Sequence, residues 1–367
     1  MAYMPAYPLT TRPSQTLVPA KSAAAATPAA RIEMMLATGA RMLYPNIKLL
    51  GHRHVGRVLS LGVDARGIAP EMLRQMADFL RDRSHAPYVR VVPREDGAAL
   101  FEMPMSPARD VLLDHRQADR RGEAITLGPL MQMVGDAQWN TDAPEQRHAL
   151  IVAEGIERTM LLRTLLCQLA RRESAAWCRM VIIDPIAALS ESLRTLAHQL
   201  CVPVGPDPFE QRLLLEWVGH EVLRRINIPG RYARLVVVIT EGGNWLSRFS
   251  ALIDTLLTHG AAANINLIIA TDQIKREVLA SPTAQRFKFR LVGQTDTEVA
   301  SNLAAGRREA NCHWQVGHGD TLLLPQGMRF QCPTVGEDLI DGLPHATALL
   351  DSWALINQQD LNTTSRS

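Results

Sequence analysis

The chain has 367 residues, a formal net charge of +2 and 47% apolar residues, enough for two or three domains and a substantial core. So small a charge gives no whole-surface attraction for nucleic acid, and an anionic partner must be met by a local patch. No apolar run approaches the roughly 18 residues of a membrane span, and Cys167, Cys178, Cys201, Cys312 and Cys332 form no CxxC pair, which reads as a cytoplasmic protein with reduced thiols.

In chain order, residues 1–30 hold five prolines, an alanine tract and no acidic residue, the composition of a disordered tail. Residues 31–140 read as a small α+β domain. It opens with a helix over Arg31–Leu43, followed by strands over Arg57–Val63 and Tyr88–Val92 flanking a helix over Pro70–Asp82, and a short strand over Ala98–Met103. From 145 to 354 the pattern changes. Predominantly apolar runs (Ala149–Val152, Met180–Ile183, Leu235–Ile239, Ile265–Ala270, Phe289–Val292, Thr321–Leu324) alternate with amphipathic segments near Thr159–Arg172, Pro208–Asn227, Trp245–His259 and Thr297–Ala304. Strands apolar on both faces, alternating with helices, predict a mainly parallel sheet covered on both sides. Residues 355–367 read as a second flexible tail.

Arg147–Ala170 reads as the strand, turn and helix of a P-loop unit, with the turn at Gly155. Where a working loop ends Gly-Lys-Ser/Thr, this chain has Glu157, Arg158 and Thr159.

The order of motifs resembles the motor region of the FtsK/SpoIIIE family of DNA translocases, from about Arg31 to Trp353. LGVD (Leu61–Asp64) resembles the small domain ahead of the motor, and Leu127-Gly128 the segment before the P-loop. MVIIDP (Met180–Pro185), VVVITE (Val236–Glu241), INLIIATDQ (Ile265–Gln273) and HGDTLLLP (His318–Pro325) then follow in family order. The resemblance implies a RecA-like P-loop NTPase fold, α/β in three layers, assembled as a ring, usually a hexamer, around double-stranded DNA with ATP and Mg between neighbours. It also leads one to expect neither the family's membrane-spanning N-terminal region nor its C-terminal winged helix.

The departures from the family pattern cluster on one site. Glu157 puts a carboxylate where a glycine would leave backbone amides open to phosphate. A unit repulsion at about 4 Å costs roughly 4 kcal/mol at an effective dielectric near 20, or two to three orders of magnitude in affinity. Arg158 keeps the charge of the phosphate-binding lysine but not its shape. Thr159 keeps the Mg-binding hydroxyl, and Thr240 stands where the metal-anchoring aspartate is expected. Glu241 retains the catalytic, water-orienting carboxylate. Ile186 and Asp272 replace a lysine and a sensing glutamine, with Gln273 one step along. The alternative for Glu241, Thr159 and Asp184 is retention of the fold, as polar groups capping strand ends.

The resemblance further implies DNA contact through the basic run after Ala270-Thr271, where Lys275, Arg276, Arg286, Lys288 and Arg290 gather. His52-x-His54 and Cys312-His313 with His318 lack a structural-zinc spacing, so no metal site is expected. Trp177, Trp217 and Trp245 read as core or subunit-contact aromatics. The preferred reading is a ring-forming, DNA-encircling pseudo-motor with little or no hydrolysis. The alternatives are an active ATP-driven translocase with a divergent loop, and a protein-interaction subunit that co-assembles with an active relative.

Overall fold

The computed structural model describes residues 47–55, 58–84, 86, 89–104, 124–131, 135–189, 191–315 and 319–357. The expected helix over Arg31–Leu43, the 1–30 tail, residues 358–367, Tyr88 and His318 lie outside these residues, as does the His54 side chain. The chain divides into two compact units, Met1–Pro107 and Ala108–Ser367.

In the smaller unit, β1 (Leu49–Val55), β2 (Val58–Asp64), β3 (Arg90–Pro93) and β4 (Ala98–Pro104) form an antiparallel sheet in the order β1-β2-β4-β3. Helix α1 (Pro70–Ser84) buries Leu73, Met76, Ala77 and Leu80, the i, i+3, i+4, i+7 stripe of one helical face. Strand β1 is an element the hydropathy pattern did not suggest; its polar HRH centre hides the alternation.

In the larger unit, hairpin β5 (Ile125–Pro129) and β6 (Asp136–Trp139) precedes a seven-stranded sheet. The sheet strands are β7 (Ala149–Val152), β8 (Cys178–Ile183), β9 (Arg234–Ile239), β10 (Ile265–Thr271), β11 (Phe289–Val292), β12 (Asp320–Leu324) and β13 (Met328–Gln331), in the order β13-β12-β11-β7-β10-β9-β8. Strands β8, β9, β10, β7 and β11 run parallel, and β12 and β13 close the far edge antiparallel. Period-two alternation sends Ala149 and Ile151 to one apolar core and Leu150 and Val152 to the other. Helix α2 (Gly155–Arg172) covers the first core. Helices α4 (Pro208–Asn227) and α6 (Ser250–His259) cover the second, giving three layers. The short helices α3 (Glu191–Arg194), α5 (Gly243–Arg248), α7 (Arg276–Leu279), α8 (Pro282–Gln285), α9 (Glu298–Ala305) and α10 (Glu337–Asp341) complete the connections.

The expected domain division near 140–145 differs from the observed one. Trp139 stacks on Phe289 of β11 at 5.6 Å, its indole N–H donates to the Gln146 carbonyl at 2.6 Å, and Leu130 bridges to Phe330. The hairpin is therefore bound into the larger unit's core. Gly128 permits this approach: a Cβ there would lie 2.1 Å from the Gln331 carbonyl oxygen. Of the three tryptophans, Trp217 and Trp245 are buried at 8% and 4% exposure, whereas Trp177 is half exposed.

Candidate functional site

In a parallel sheet the carboxyl ends of the strands are where ligands sit. Strands β7, β9 and β10 bring Glu157, Arg158, Thr240, Glu241, Asp272 and Gln273 to that edge, so the residues singled out in the sequence converge on one place.

The loop itself is nearly absent. In the eight-residue motif the first glycine stands five residues before the last; counting back from Glu157 gives Val152. That residue closes strand β7, fully buried and paired with Thr271 of β10 and Val292 of β11. Pairing continues past it: Ala153 donates to the Thr271 carbonyl at 3.1 Å, and Gly293 donates to the Val152 carbonyl at 2.9 Å. Only Ala153 and Glu154 separate strand from helix, and the amides of Glu157 and Arg158 already turn back to the Glu154 carbonyl. A phosphate nest needs consecutive amides turned outward around an anion, and this corner has no length for one. The sequence carried the signal, but it lay in the count of residues rather than in their identity.

Glu157 points inward, as the repulsion argument requires. Its carboxylate accepts the Gln294 N–H at 3.2 Å and lies where a Cβ on Gly293 would meet it at 2.6 Å. Arg158 is 4% exposed, and its Nη1 donates to Glu241 Oε2 at 2.6 Å and lies 3.2 Å from Asp272 Oδ2. The guanidinium thus ties the start of α2 to the ends of β9 and β10. Burial holds the Glu241 carboxyl above its ordinary value; Arg158 pulls it down and Asp272 pushes it further up. Arg158 engages Glu241 through Oε2, while Oε1 has no hydrogen-bond partner.

The remaining metal and sensor positions are likewise committed. Thr159 donates its hydroxyl back to the Gly155 carbonyl at 3.2 Å. Thr240 donates to Asp184 at 2.6 Å, and Asp184 also accepts from the Ala188 and Leu189 amides and from Arg194 at 3.2 Å. Gln273 lies over Gly243, where a Cβ would meet its amide oxygen at 2.6 Å. The residues present do not fit a Mg-nucleotide: the phosphate loop is missing, the cation is internally paired and the metal aspartate is a threonine.

The expected basic patch is divided. Because β10 and β11 are both parallel to β7, the carboxyl end of β10 and the amino end of β11 lie at opposite edges of the sheet. Lys275 and Arg276 are exposed after β10 at the carboxyl edge, and Arg286 and Lys288 precede β11 at the amino edge. Arg286 is also ion-paired with Asp254 at 2.9 Å and donates to Thr258 on α6. Arg290 is buried, donating to the carbonyls of Phe287, Ala304 and Ala284, and burial lowers its pKa to about 10.

The sequence is similar to bacterial proteins named DNA translocase FtsK. It is 22% identical over 338 residues to that of Brucella melitensis biotype 1, covering 75% of this chain and 40% of the relative. To that of Agrobacterium fabrum it is 22% identical over 325 residues, covering 72% of this chain and 35% of the relative. The chain therefore spans about two fifths or less of the curated relatives it matches. No protein-family model matches it. Among solved structures, the pCW3 conjugation coupling protein TcpA, in a monomer form with ATPγS, aligns with a TM-score of 0.57 at 14% identity over 84% of this chain and 94% of that one. The cytoplasmic domain of the Type VII secretion ATPase EccC of Thermomonospora curvata aligns with a TM-score of 0.54 at 16% identity, over 67% and 34%. The fold is that of a P-loop ATPase motor domain, and among the described residues no helix is long and apolar enough to cross a membrane.

Proposed function

We propose that this chain is an FtsK-like pseudo-motor: a subunit that keeps the motor fold, has lost ATP hydrolysis, and assembles as a ring that binds or encircles double-stranded DNA as scaffold or clamp. The observation that carries this reading is Arg158, held between Glu241 and Asp272 in the place where a motor needs a free cation and a free carboxylate. The pair engages Arg158 Nη1 and Glu241 Oε2 with each other, so a phosphate or an attacking water would have to displace that bond. The strand-bound Val152 and the Thr240–Asp184 bond support the same reading from independent positions.

The test is DNA-stimulated ATPase activity of the purified full chain with Mg. The expected result is no turnover above background, with or without long duplex DNA. Turnover on the order of 1 s⁻¹ or faster, the range of ordinary enzymes, that disappears in Glu241→Gln would overturn the pseudo-motor reading in favour of an active translocase.

A further inference from the structure

A cavity at the amino edge of the large sheet, away from the phosphate corner, has no part in the function proposed above. It measures about 380 Å³ and opens where β8 and β9 begin. Small-molecule sites span roughly 300–1,000 Å³. Trp177 gives the wall a flat apolar face that is half exposed. Its backbone is held on both sides: its N–H donates to the Ser174 carbonyl at 2.9 Å, and its carbonyl accepts the Arg234 N–H at 2.8 Å. Arg172, Arg231 and Arg234 bring three positive charges against two negative ones from Asp142 and Glu173, which leaves one positive charge in excess. These charges are engaged to different degrees. Arg234 is 8% exposed and sits between Asp142 at 2.7 Å and Glu173 at 3.2 Å, and Glu173 meets it with both oxygens. Asp142 uses only Oδ1 in that pair; its side chain is 54% exposed, and Oδ2 takes no bond among the described residues. Arg231 is exposed and likewise makes no ion pair among them.

We infer that this cavity binds a guanine mononucleotide: the base stacks on Trp177, its N1–H and 2-amino group donate to Asp142, and its phosphate is held by Arg231. Each part of the ligand answers one part of the wall. An exposed indole face takes a flat ring, and stacking of a base on an aromatic side chain is worth roughly ten- to hundredfold in affinity. An ionised carboxylate only accepts hydrogen bonds, so it selects a base edge with adjacent N–H donors. Guanine presents two such donors, whereas adenine places an acceptor nitrogen beside its amino group. Arg234 already fixes the Asp142 carboxylate, so the ligand does not have to order it. The excess positive charge suits a phosphate, whose oxygens a guanidinium can grip in pairs. None of these residues belongs to the phosphate corner, so the inference stands independently of the pseudo-motor reading.

The test is titration calorimetry on the full chain, with chelator, using guanosine monophosphate (GMP) and its analogues as probes. GMP should bind with a dissociation constant below about 1 mM. Guanosine, which lacks the phosphate, and inosine monophosphate, which lacks the 2-amino group, should each bind at least about tenfold more weakly, and adenosine monophosphate more weakly still. Trp177→Ala should weaken GMP at least about tenfold. Arg231→Ala should weaken GMP and leave guanosine unchanged, which isolates the phosphate contact. Asp142→Asn keeps one oxygen for Arg234 and turns the other acceptor into a donor. It should therefore reverse the preference toward xanthosine monophosphate, whose 2-oxo group accepts. All three positions are exposed, and unchanged melting temperatures would show that the variants fold. Absence of GMP binding up to about 1 mM overturns the inference. So does GMP binding that survives both Trp177→Ala and Arg231→Ala, which would place the nucleotide elsewhere, the phosphate corner included. Equal affinity for the guanine and adenine nucleotides would sink the base assignment and the inference with it. A single-stranded oligonucleotide that binds through Trp177 whatever its bases, while GMP does not, would make the cavity a nucleic-acid face and overturn it as well.

Discussion

Two clusters in the large unit place one arginine between two carboxylates at the ends of strands. On the amino edge, Arg234 joins β9 to Asp142 and Glu173, and donates to Asn266 of β10 at 3.3 Å. On the carboxyl edge, Arg158 joins α2 to Glu241 and Asp272. The first lies away from the strand ends where an α/β sheet receives its ligands and acts as a brace; the second occupies the motor's phosphate corner. Their construction is alike: a buried guanidinium, two carboxylate partners, three segments of backbone held together. A working site stores unsatisfied groups for its substrate, whereas a brace satisfies them internally. By that criterion the two clusters differ: Arg158 Nε and Glu241 Oε1 are buried without a hydrogen-bond partner at the phosphate corner, whereas Arg234, Asp142 and Glu173 leave no such atom at the amino edge.

The comparison can be broken by removing each arginine. Removing one partner of a buried pair costs about 3–5 kcal/mol; here that cost falls on Glu241 and Glu173, each 18% exposed, because Asp272 and Asp142 are 40% and 54% exposed and stay solvated. Arg158→Met and Arg234→Met are therefore each expected to lower the melting temperature on the order of 10 °C in calorimetry. A neutral or stabilising Arg158→Met, as expected where stability was traded for activity, would show that the two clusters are not equivalent.

Acid should separate the edges by sign. His148, at the amino end of β7, accepts the Leu267 N–H at 3.1 Å, and burial with Arg147 and Arg286 nearby lowers its pKa from 6.5 to about 4. A histidine kept neutral in the fold contributes stability above pH 6.5 that is lost as pH falls through 4. By proton linkage, a pKa lowered that far is worth roughly 3 kcal/mol. Glu241 is opposite: its raised pKa means that the fold binds a proton more tightly than the unfolded chain does, so its contribution grows as pH falls toward 4.5. Denaturant melts from pH 7 to 4 should show a loss that His148→Gln flattens and Glu241→Gln steepens. An unchanged profile in His148→Gln would remove the histidine from the account.

The smallest effects concern the divided cations. If duplex DNA is held at the carboxyl edge, Lys275→Ala/Arg276→Ala should weaken binding to every sequence and reduce the salt slope by about 2, one for each phosphate contact. Arg286→Ala should leave that slope alone and cost up to about 1 kcal/mol of stability through its pair with Asp254. The reverse pattern in a salt titration would move DNA to the amino edge.

Strands β7 and β11 were legible residue for residue, because short, predominantly apolar runs between helices have few other solutions. Strand β13 was not, since Met-Arg-Phe-Gln alternates too briefly to stand out. The β5–β6 hairpin was assigned to the wrong unit because what binds it is Trp139 on Phe289, a contact 150 residues apart that composition does not encode. The site's residues were legible, but their partners were not: Thr240 reads as a lost ligand in sequence, and as the donor to Asp184 in three dimensions. Lys275 and Lys288 looked like one patch because they lie close in the chain, yet β10 and β11 run parallel and separate them across the sheet.

The position of Val152 inside β7 has a consequence for descent. Glu157→Gly, Arg158→Lys and Thr240→Asp together would restore the Gly-Lys-Thr end of the motif and the metal aspartate, yet Val152 would still stand at the first glycine, and strand and helix would still be joined by Ala153 and Glu154 alone. Residues for a loop would have to be inserted, or taken from β7 at the cost of its pairs with both neighbours. On the pseudo-motor reading proposed above, point substitutions alone therefore do not rebuild the phosphate loop.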